Sequence, residues 1–115
     1  MLAYTIQPDG GLVDVRVFAD LGEHRRPDGL CHDAEGAVRL GSSFTGEFLR
    51  VLEGGEITHV VQTPGRWAVA PALGGPDRRT LYLLVAETEL ERFRRGDSSA
   101  RIECVRVEVP GAGWP

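Results

Sequence analysis

The sequence predicts an all-β fold of the β-propeller type. Three observations lead to that prediction: short alternating strands, frequent turn residues and an internal repeat. Seven prolines and fifteen glycines stand between short apolar runs, as is typical of turn-rich all-β chains. A repeat period of about 40 to 50 residues indicates units that pack on their neighbours. With 115 residues, a single domain is expected.

The repeat is visible in two pairs of matching segments. Residues 4–11 match residues 49–56 at an offset of 45, and each strand end is followed by a glycine turn and a second alternating strand. Residues 37–40 match residues 80–83 at an offset of 43, each after a turn. A further insertion, residues 87–100, contains one predicted short helix within Glu89–Gly96.

The predicted strands fall into three groups along the chain. They are residues 3–7 and 12–19, then 29–33, 37–43, 47–52 and 56–62, and finally 67–73, 80–86 and 101–109. Four antiparallel strands per repeat form one propeller blade. We therefore assign residues 1–21 to the end of one blade, 22–63 to one full blade, and 64–115 to a last blade that lacks its outer strand.

These strands amount to fewer than three blades, and so few blades cannot close a ring. Each blade buries its faces only against neighbouring blades. We therefore expect the upstream part of the propeller to be missing from this chain. The strand edge near Glu103–Val109 is expected to have unpaired backbone groups, which favour pairing with another chain. Self-association through such open blade edges is a further expectation.

Composition and charge exclude several functional classes. The net charge of −4 and the lack of a basic cluster among aromatic residues argue against nucleic-acid binding. No apolar run approaches the roughly 20 residues that span a bilayer, and no signal peptide is recognisable. Cys31 and Cys104 fall in predicted strands without metal-binding spacing, which indicates reduced core thiols and a cytoplasmic protein. A disulfide between them stays open as an alternative.

Asp28 is the candidate functional residue. It lies in the connection from the outer strand of one blade to the inner strand of the next, which opens at the mouth of a propeller channel. Pro27 fixes its own φ angle, Gly29 permits close approach of the backbone, and a carboxylate is a hard oxygen donor for a divalent cation. Taken alone, Pro-Asp-Gly is also a turn signature, so the metal-ligand interpretation and the turn interpretation both stay open.

Other polar candidates have simpler interpretations. His32 and Asp33 are adjacent and so face opposite sides of a strand, and Asp33 begins a tight turn, so neither is favoured as a metal ligand. Trp67 and Arg66 could contact a sugar ring, but packing is favoured for Trp67. Ser42–Ser43 lack the Gly-x-Ser-x-Gly context of a serine hydrolase. Three histidines are too few for a histidine-rich metal site.

Two motifs are similar to a known family. Pro27–Gly36, followed at a blade's distance by Ala72–Tyr82, resembles the C-terminal signature of the senescence marker protein, gluconolactonase and luciferin-regenerating enzyme (regucalcin-like) family. The similarity covers essentially the whole chain, and the order and spacing of the motifs are specific. Arg39 stands where this family usually has Trp or another large apolar residue, and Pro71 stands where many members have cysteine. The resemblance implies a six-bladed propeller, of which this chain supplies two to three C-terminal blades.

The resemblance also implies an activity, the metal-dependent hydrolysis of a small sugar lactone. One divalent metal, Ca, Zn, Mg or Mn, would be bound by a glutamate near the N-terminus, an asparagine in mid-chain and the aspartate of the Pro-Asp-Gly motif. Only that aspartate has a counterpart here, so Asp28 is implied to be both metal ligand and general base. On its own the chain is then expected to be inactive. The alternatives are a non-catalytic interaction or structural piece, and an oligomer whose copies complete a ring.

Overall fold

The computed structural model describes residues 1–113; Trp114 and Pro115, the end of the predicted last blade, lie outside the described residues. Residues 1–113 form three antiparallel sheets, of two, four and three strands, in sequence order. The strands are β1 (Leu2–Ile6), β2 (Leu12–Val17), β3 (Pro27–His32), β4 (Val38–Ser42), β5 (Glu47–Val51), β6 (Ile57–Gln62), β7 (Trp67–Gly74), β8 (Thr80–Glu87) and β9 (Ser99–Arg106). One short helix, α1 (Leu90–Arg94), lies in the predicted insertion. The all-β prediction is confirmed.

The middle sheet is the centre of the packing because its two faces bury two different clusters. Antiparallel pairing places Leu40 opposite Leu49 and Val38 opposite Val51. This face packs on the segment that follows β2, in a cluster of Phe18, Ala19, Leu21, Val38, Leu40, Leu49 and Val51. The other face buries Phe48 against the third sheet, with Ala68, Leu81, Leu83 and Val85. Burying each of the Val, Leu and Phe side chains contributes about 1.5–3 kcal/mol.

Two glycines allow the middle sheet to approach β7 closely. A Cβ atom on Gly29 would lie 2.3 Å from Cβ of Ala70, and one on Gly41 would lie 2.4 Å from the carbonyl oxygen of Ala68. Atoms at such separations overlap, so any side chain at either position would push the strands apart. Glycine at both positions therefore allows β3 and β4 to pack directly against the backbone of β7.

The Pro-Asp-Gly segment is a strand rather than a turn. Residues 27–29 form the start of β3, and the register shifts between Pro27 and Leu30. Proline is tolerated here because it begins an edge strand, where its missing N–H is not needed. Pro71 lies in β7, also an edge strand of its sheet. The turn interpretation of residues 27–29 is therefore wrong, and the close packing of Gly29 on Ala70 explains why the chain stays extended.

The two cysteines are free thiols in different environments. Cys31 on β3 is half-buried, and burial raises the pKa of its thiol. Cys104 on β9 is exposed, so its prediction as a core residue is wrong. Within the described sheet order β9 is an edge strand, and its side chains lack a covering layer.

Both ends of the stack of sheets expose apolar side chains. On the first sheet these are Leu2, Tyr4, Ile6, Leu12, Val13, Val15 and Val17. On the third sheet Leu84 is paired with Ile102, and both are exposed. Exposed apolar patches of this kind mark contact surfaces, and self-association there stays a prediction. No helix within residues 1–113 is long and apolar enough to cross a membrane.

Gly41→Ala should destabilise the chain, because the new Cβ would overlap the backbone of β7. Overpacking of this kind costs about 1–3 kcal/mol, measurable as a lower midpoint in urea or thermal denaturation. Gly11→Ala is the matched control, since the nearest atom to its Cβ is Oδ1 of the exposed Asp9 side chain. Equal midpoints for Gly41→Ala and the wild type would contradict the close approach.

Candidate functional site

Asp28 is the second residue of β3, and its side chain is exposed. The Ser43 hydroxyl donates a hydrogen bond of 2.8 Å to Oδ2 of Asp28. Ser43 itself is buried at the end of β4, and its Oγ lies 3.4 Å from the carbonyl oxygen of Ala68. Asp28 is thus a carboxylate with one oxygen fixed by the protein, while Oδ1 accepts no hydrogen bond from the described residues.

The segment before Asp28 is tied to the end of β4. The Arg26 N–H donates to Oγ of Ser42 at 3.2 Å, and the Ser43 N–H donates to the Arg26 carbonyl at 3.4 Å. Thr45 Oγ1 donates to Oγ of the buried Ser42 at 2.7 Å. These bonds connect two chain segments that are distant in sequence, so the position of Asp28 is set by the β3–β4 pair.

A wide cleft lies beside Asp28. The loop Gly22–Pro27, which ends directly before Asp28, lines an open volume of about 810 Å³. Arg25 Nε donates to Oε2 of Glu47 at 3.1 Å. The Arg26 side chain is exposed and makes no hydrogen bond or ion pair with the other described residues. Glu23 on the same lining is likewise exposed and makes no ion pair with the other described residues, so the cleft carries one unpaired charge of each sign, at Arg26 and at Glu23.

The donor set around Asp28 is smaller than a metal requires. Calcium takes six to eight oxygen ligands, and zinc takes four ligands. Within residues 1–113 no three His, Cys, Asp or Glu side chains come together in a way that could hold a metal ion. Asp28 offers at most two oxygens. The described residues therefore do not make a metal site by themselves.

Trp67 packs among aromatic side chains at the start of β7. Its ring meets Phe44 edge-on, with centroids 5.2 Å apart and planes at 80°, and lies 5.4 Å from the ring of Phe93. Phe93 belongs to α1, so this contact fixes the helical insertion on the sheet. The packing interpretation of Trp67 is confirmed. Arg66, its neighbour, forms an ion pair with Glu103.

Asp33, which directly follows the other end of β3, has a structural role. Its side chain is fully buried, and Oδ1 accepts the backbone N–H groups of Glu35 and Ala37, each at 3.2 Å. Oδ2 accepts Nε of Arg50 at 2.7 Å. Asp33 thus begins the turn between β3 and β4, as predicted. His32 is exposed and takes no part in this cluster.

Asp33 separates two buried arginines. Arg39 and Arg50 are directly opposite each other on β4 and β5, an arrangement of like charges that destabilises a sheet. Their Nε atoms lie 3.4 Å and 2.7 Å from Oδ2 of Asp33. The hydrogen bond to Asp33 raises the pKa of Arg50. Burial lowers the pKa of Arg39, an effect that Asp33 opposes and Arg50 reinforces.

Ser43 is the site residue that sequence reasoning missed. The interpretation of Ser42–Ser43 considered only a catalytic serine, not a partner for Asp28. A signal was present, because a tight turn at residues 33–36 pairs His32 with Val38 and Pro27 with Ser42. Counted back from the His32–Val38 pair in a regular register, residue 42 lies opposite residue 28, so Ser43 is only one position further along β4.

Comparison with known proteins gives the family. The model of the SMP-30/Gluconolactonase/LRE-like region matches residues 1–87. The chain belongs to this family. The 6-deoxy-6-sulfogluconolactonase of Pseudomonas putida is 33% identical over 103 residues, which cover 88% of this chain and 35% of that enzyme. The predicted family is confirmed, and the chain spans about a third of the length of this curated relative.

A solved structure gives the fold. The chain is similar to a luciferin-regenerating enzyme with a TM-score of 0.77 at 17% identity, over 96% of this chain and 39% of that one. The three open sheets are thus part of a β-propeller, as predicted.

Asp33→Asn should strongly destabilise the protein, because it leaves two buried arginines without a buried counter-charge. Removing one partner of a buried ion pair costs about 3–5 kcal/mol, to be measured by urea denaturation. Glu35→Gln is the matched control: it also removes a carboxylate bound to Arg50, but its side chain is 64% exposed, so the loss should stay below about 1 kcal/mol. Similar losses in the two variants would contradict the role of Asp33.

Proposed function

We propose that this chain contributes Asp28 to the active site of a sugar-lactone hydrolase, at the mouth of a propeller channel that other propeller segments complete. The observation that supports this most directly is the exposed Asp28 carboxylate beside an open cleft, held through one oxygen by the buried Ser43. Family membership and the name of the curated relative support the reaction class.

The proposed role of Asp28 is that of general base. Hydrolysis of a lactone needs a water molecule to attack the ring carbonyl, and a base to accept the proton of that water. Oδ1 of Asp28 is free to accept it, while the hydrogen bond from Ser43 fixes the orientation of the carboxylate. Ser43 is thus a positioning residue. General-base catalysis by a positioned side chain contributes about 10²–10⁴-fold.

A divalent metal is the second part of the proposal, with Ca, Zn, Mg and Mn as candidates. When bound, such an ion polarises a carbonyl oxygen and stabilises the charge that develops on it. Asp28 would be one ligand, and the remaining ligands would come from outside the described residues, because one carboxylate does not satisfy a hard cation.

The free Arg26 side chain suggests the substrate class. The name of the curated relative describes a lactone with a sulfo group on carbon 6, which is an anionic substituent. In this chain Arg26 lies two residues before Asp28 and has no partner among the described side chains. We propose a sugar-acid lactone whose anionic end faces Arg26.

The alternative function is a non-catalytic propeller piece. The observation that favours it is that no three potential ligands come together within residues 1–113. The two functions differ in one measurable respect, namely whether the polypeptide or assembly that contains this chain hydrolyses a lactone.

Asp28→Asn should lower kcat for lactone hydrolysis in that polypeptide or assembly by about 10²–10⁴-fold, because an amide cannot accept the proton. Ser43→Ala should give a smaller loss. Initial rates with gluconolactone, followed by acid release at constant pH, measure both. Asp9→Asn, an exposed carboxylate in the β1–β2 turn, is the matched control and should be unchanged. Wild-type rates in Asp28→Asn would refute the base, and no hydrolysis at all would favour the non-catalytic alternative.

Metal binding should depend on completion of the ring. Thermal melting of the monomeric chain in calcium or zinc should give the same shift for wild type and Asp28→Ala, because a single carboxylate is a weak ligand. In the completed propeller, metal should raise the wild-type melting temperature, and Asp28→Ala should abolish that rise. An Asp28-dependent rise in the monomer would contradict the need for ligands from outside.

A further inference from the structure

A row of side chains crosses the face of the middle sheet that is turned toward the third sheet. Cross-strand pairing aligns Cys31 with Arg39, Arg39 with Arg50, and Arg50 with His59, so that one residue from each of the four strands shares this face. The row lies toward the turn at Asp33, and Asp28 lies at the opposite end of β3. It is therefore separate from the proposed lactone site.

The buried part of this row carries excess positive charge. The charged side chains that are buried among the described residues are Asp33, Arg39 and Arg50, two cations and one anion. Glu35 pairs with Arg50, but from a side chain that is largely exposed. One buried positive charge therefore has no buried counter-charge.

The unbalanced charge belongs to Arg39. Arg50 donates two hydrogen bonds to the Asp33 carboxylate, one from Nε and one from Nη2. Nε of Arg39 lies 3.4 Å from Oδ2 of Asp33, within ion-pair distance. It is nonetheless buried without a hydrogen-bond partner. The residue as a whole is only 4% exposed, so water does not compensate for the missing bond.

The Arg39 side chain lines a cleft between the second and third sheets. The cleft has a volume of about 250 Å³ and is lined by Arg39, His59, Arg106, Val107, Glu108 and Val109. His59 and Arg106 are exposed and form its polar rim, and Arg106 is anchored by Asp77. Glu108 is the one carboxylate on the lining, and it is exposed and makes no ion pair with another described residue. The closed inner end is therefore cationic.

We propose that this cleft binds a small oxyanion of phosphate or carboxylate type, with Arg39 as its buried anchor and Arg106 and His59 at its rim. A planar guanidinium presents N–H donors that match the oxygens of such anions. The cleft exceeds the roughly 30 Å³ that one water occupies in the liquid, so an anion fits together with part of its hydration. Binding would supply the counter-charge and the hydrogen-bond acceptor that Arg39 lacks.

Inorganic phosphate is the probe for the test. The chain is melted in increasing phosphate and, separately, in sodium chloride of equal ionic strength, and phosphate binding is measured by isothermal titration calorimetry. The wild type should show a saturable rise of several degrees in phosphate over chloride, because a ligand that binds only the folded state stabilises it. Arg39→Met, which keeps the length of the side chain without its charge, should lose both the rise and the binding heat.

Two further variants make the result decisive. Arg106→Gln, at an exposed position, should weaken phosphate binding about tenfold, which corresponds to the loss of one charged contact of about 1.4 kcal/mol. Arg16→Gln removes an exposed arginine on β2, distant from the cleft, and should bind as the wild type does. Phosphate also stabilises proteins by exclusion from their surface, but that effect does not saturate and is equal in all variants. Absence of a saturable rise in the wild type, or an unchanged response in Arg39→Met and Arg106→Gln, would overturn the proposal.

Discussion

The described structure depends on one buried carboxylate, that of Asp33. It accepts backbone N–H groups in the β3–β4 turn and a side-chain bond from Arg50 on β5, so a single group joins three strands. The tail of the chain pairs at the same place, through a bridge between Asp33 and Gly111. Because a buried charge is costly unless it is paired, the turn, the middle sheet and its contact with the tail are energetically coupled.

The same hairpin positions Asp28. From the turn at Asp33 the register runs without interruption to Leu30 and then shifts so that Pro27 pairs with Ser42. The next residue, Ser43, donates a hydrogen bond to Asp28. The two aspartates of β3 thus have opposite roles for a physical reason. Asp33 is buried and has all its oxygens occupied, which suits a structural residue. Asp28 is exposed with one oxygen free, which is what a ligand or a base requires.

Features set by local sequence could be predicted, and features set by distant contacts could not. Strands, turns and the short helix follow from alternation and from glycine positions, and Asp33 was identified as a turn residue on that basis. The extended conformation of residues 27–29 depends on packing against Ala70, more than 40 residues away. The exposure of Cys104 depends on sheet order. The pairing of Arg39 with Arg50 becomes visible only once the register of β4 and β5 is known.

The distribution of buried residues explains how the position of Asp28 is fixed within the described part of the chain. Both hydrophobic clusters lie on the middle sheet, one on each face, whereas the outer sheets each leave apolar side chains exposed. Propeller blades bury their faces against neighbours, so the middle blade, with a neighbour on each side, is the best packed of the three, although Leu30 and Val60 on its edge strands stay exposed. Asp28 and Ser43 belong to that blade. Under the proposed function, ligands from other propeller segments would meet a carboxylate already held in place, and binding to a preorganised group avoids the cost of ordering it.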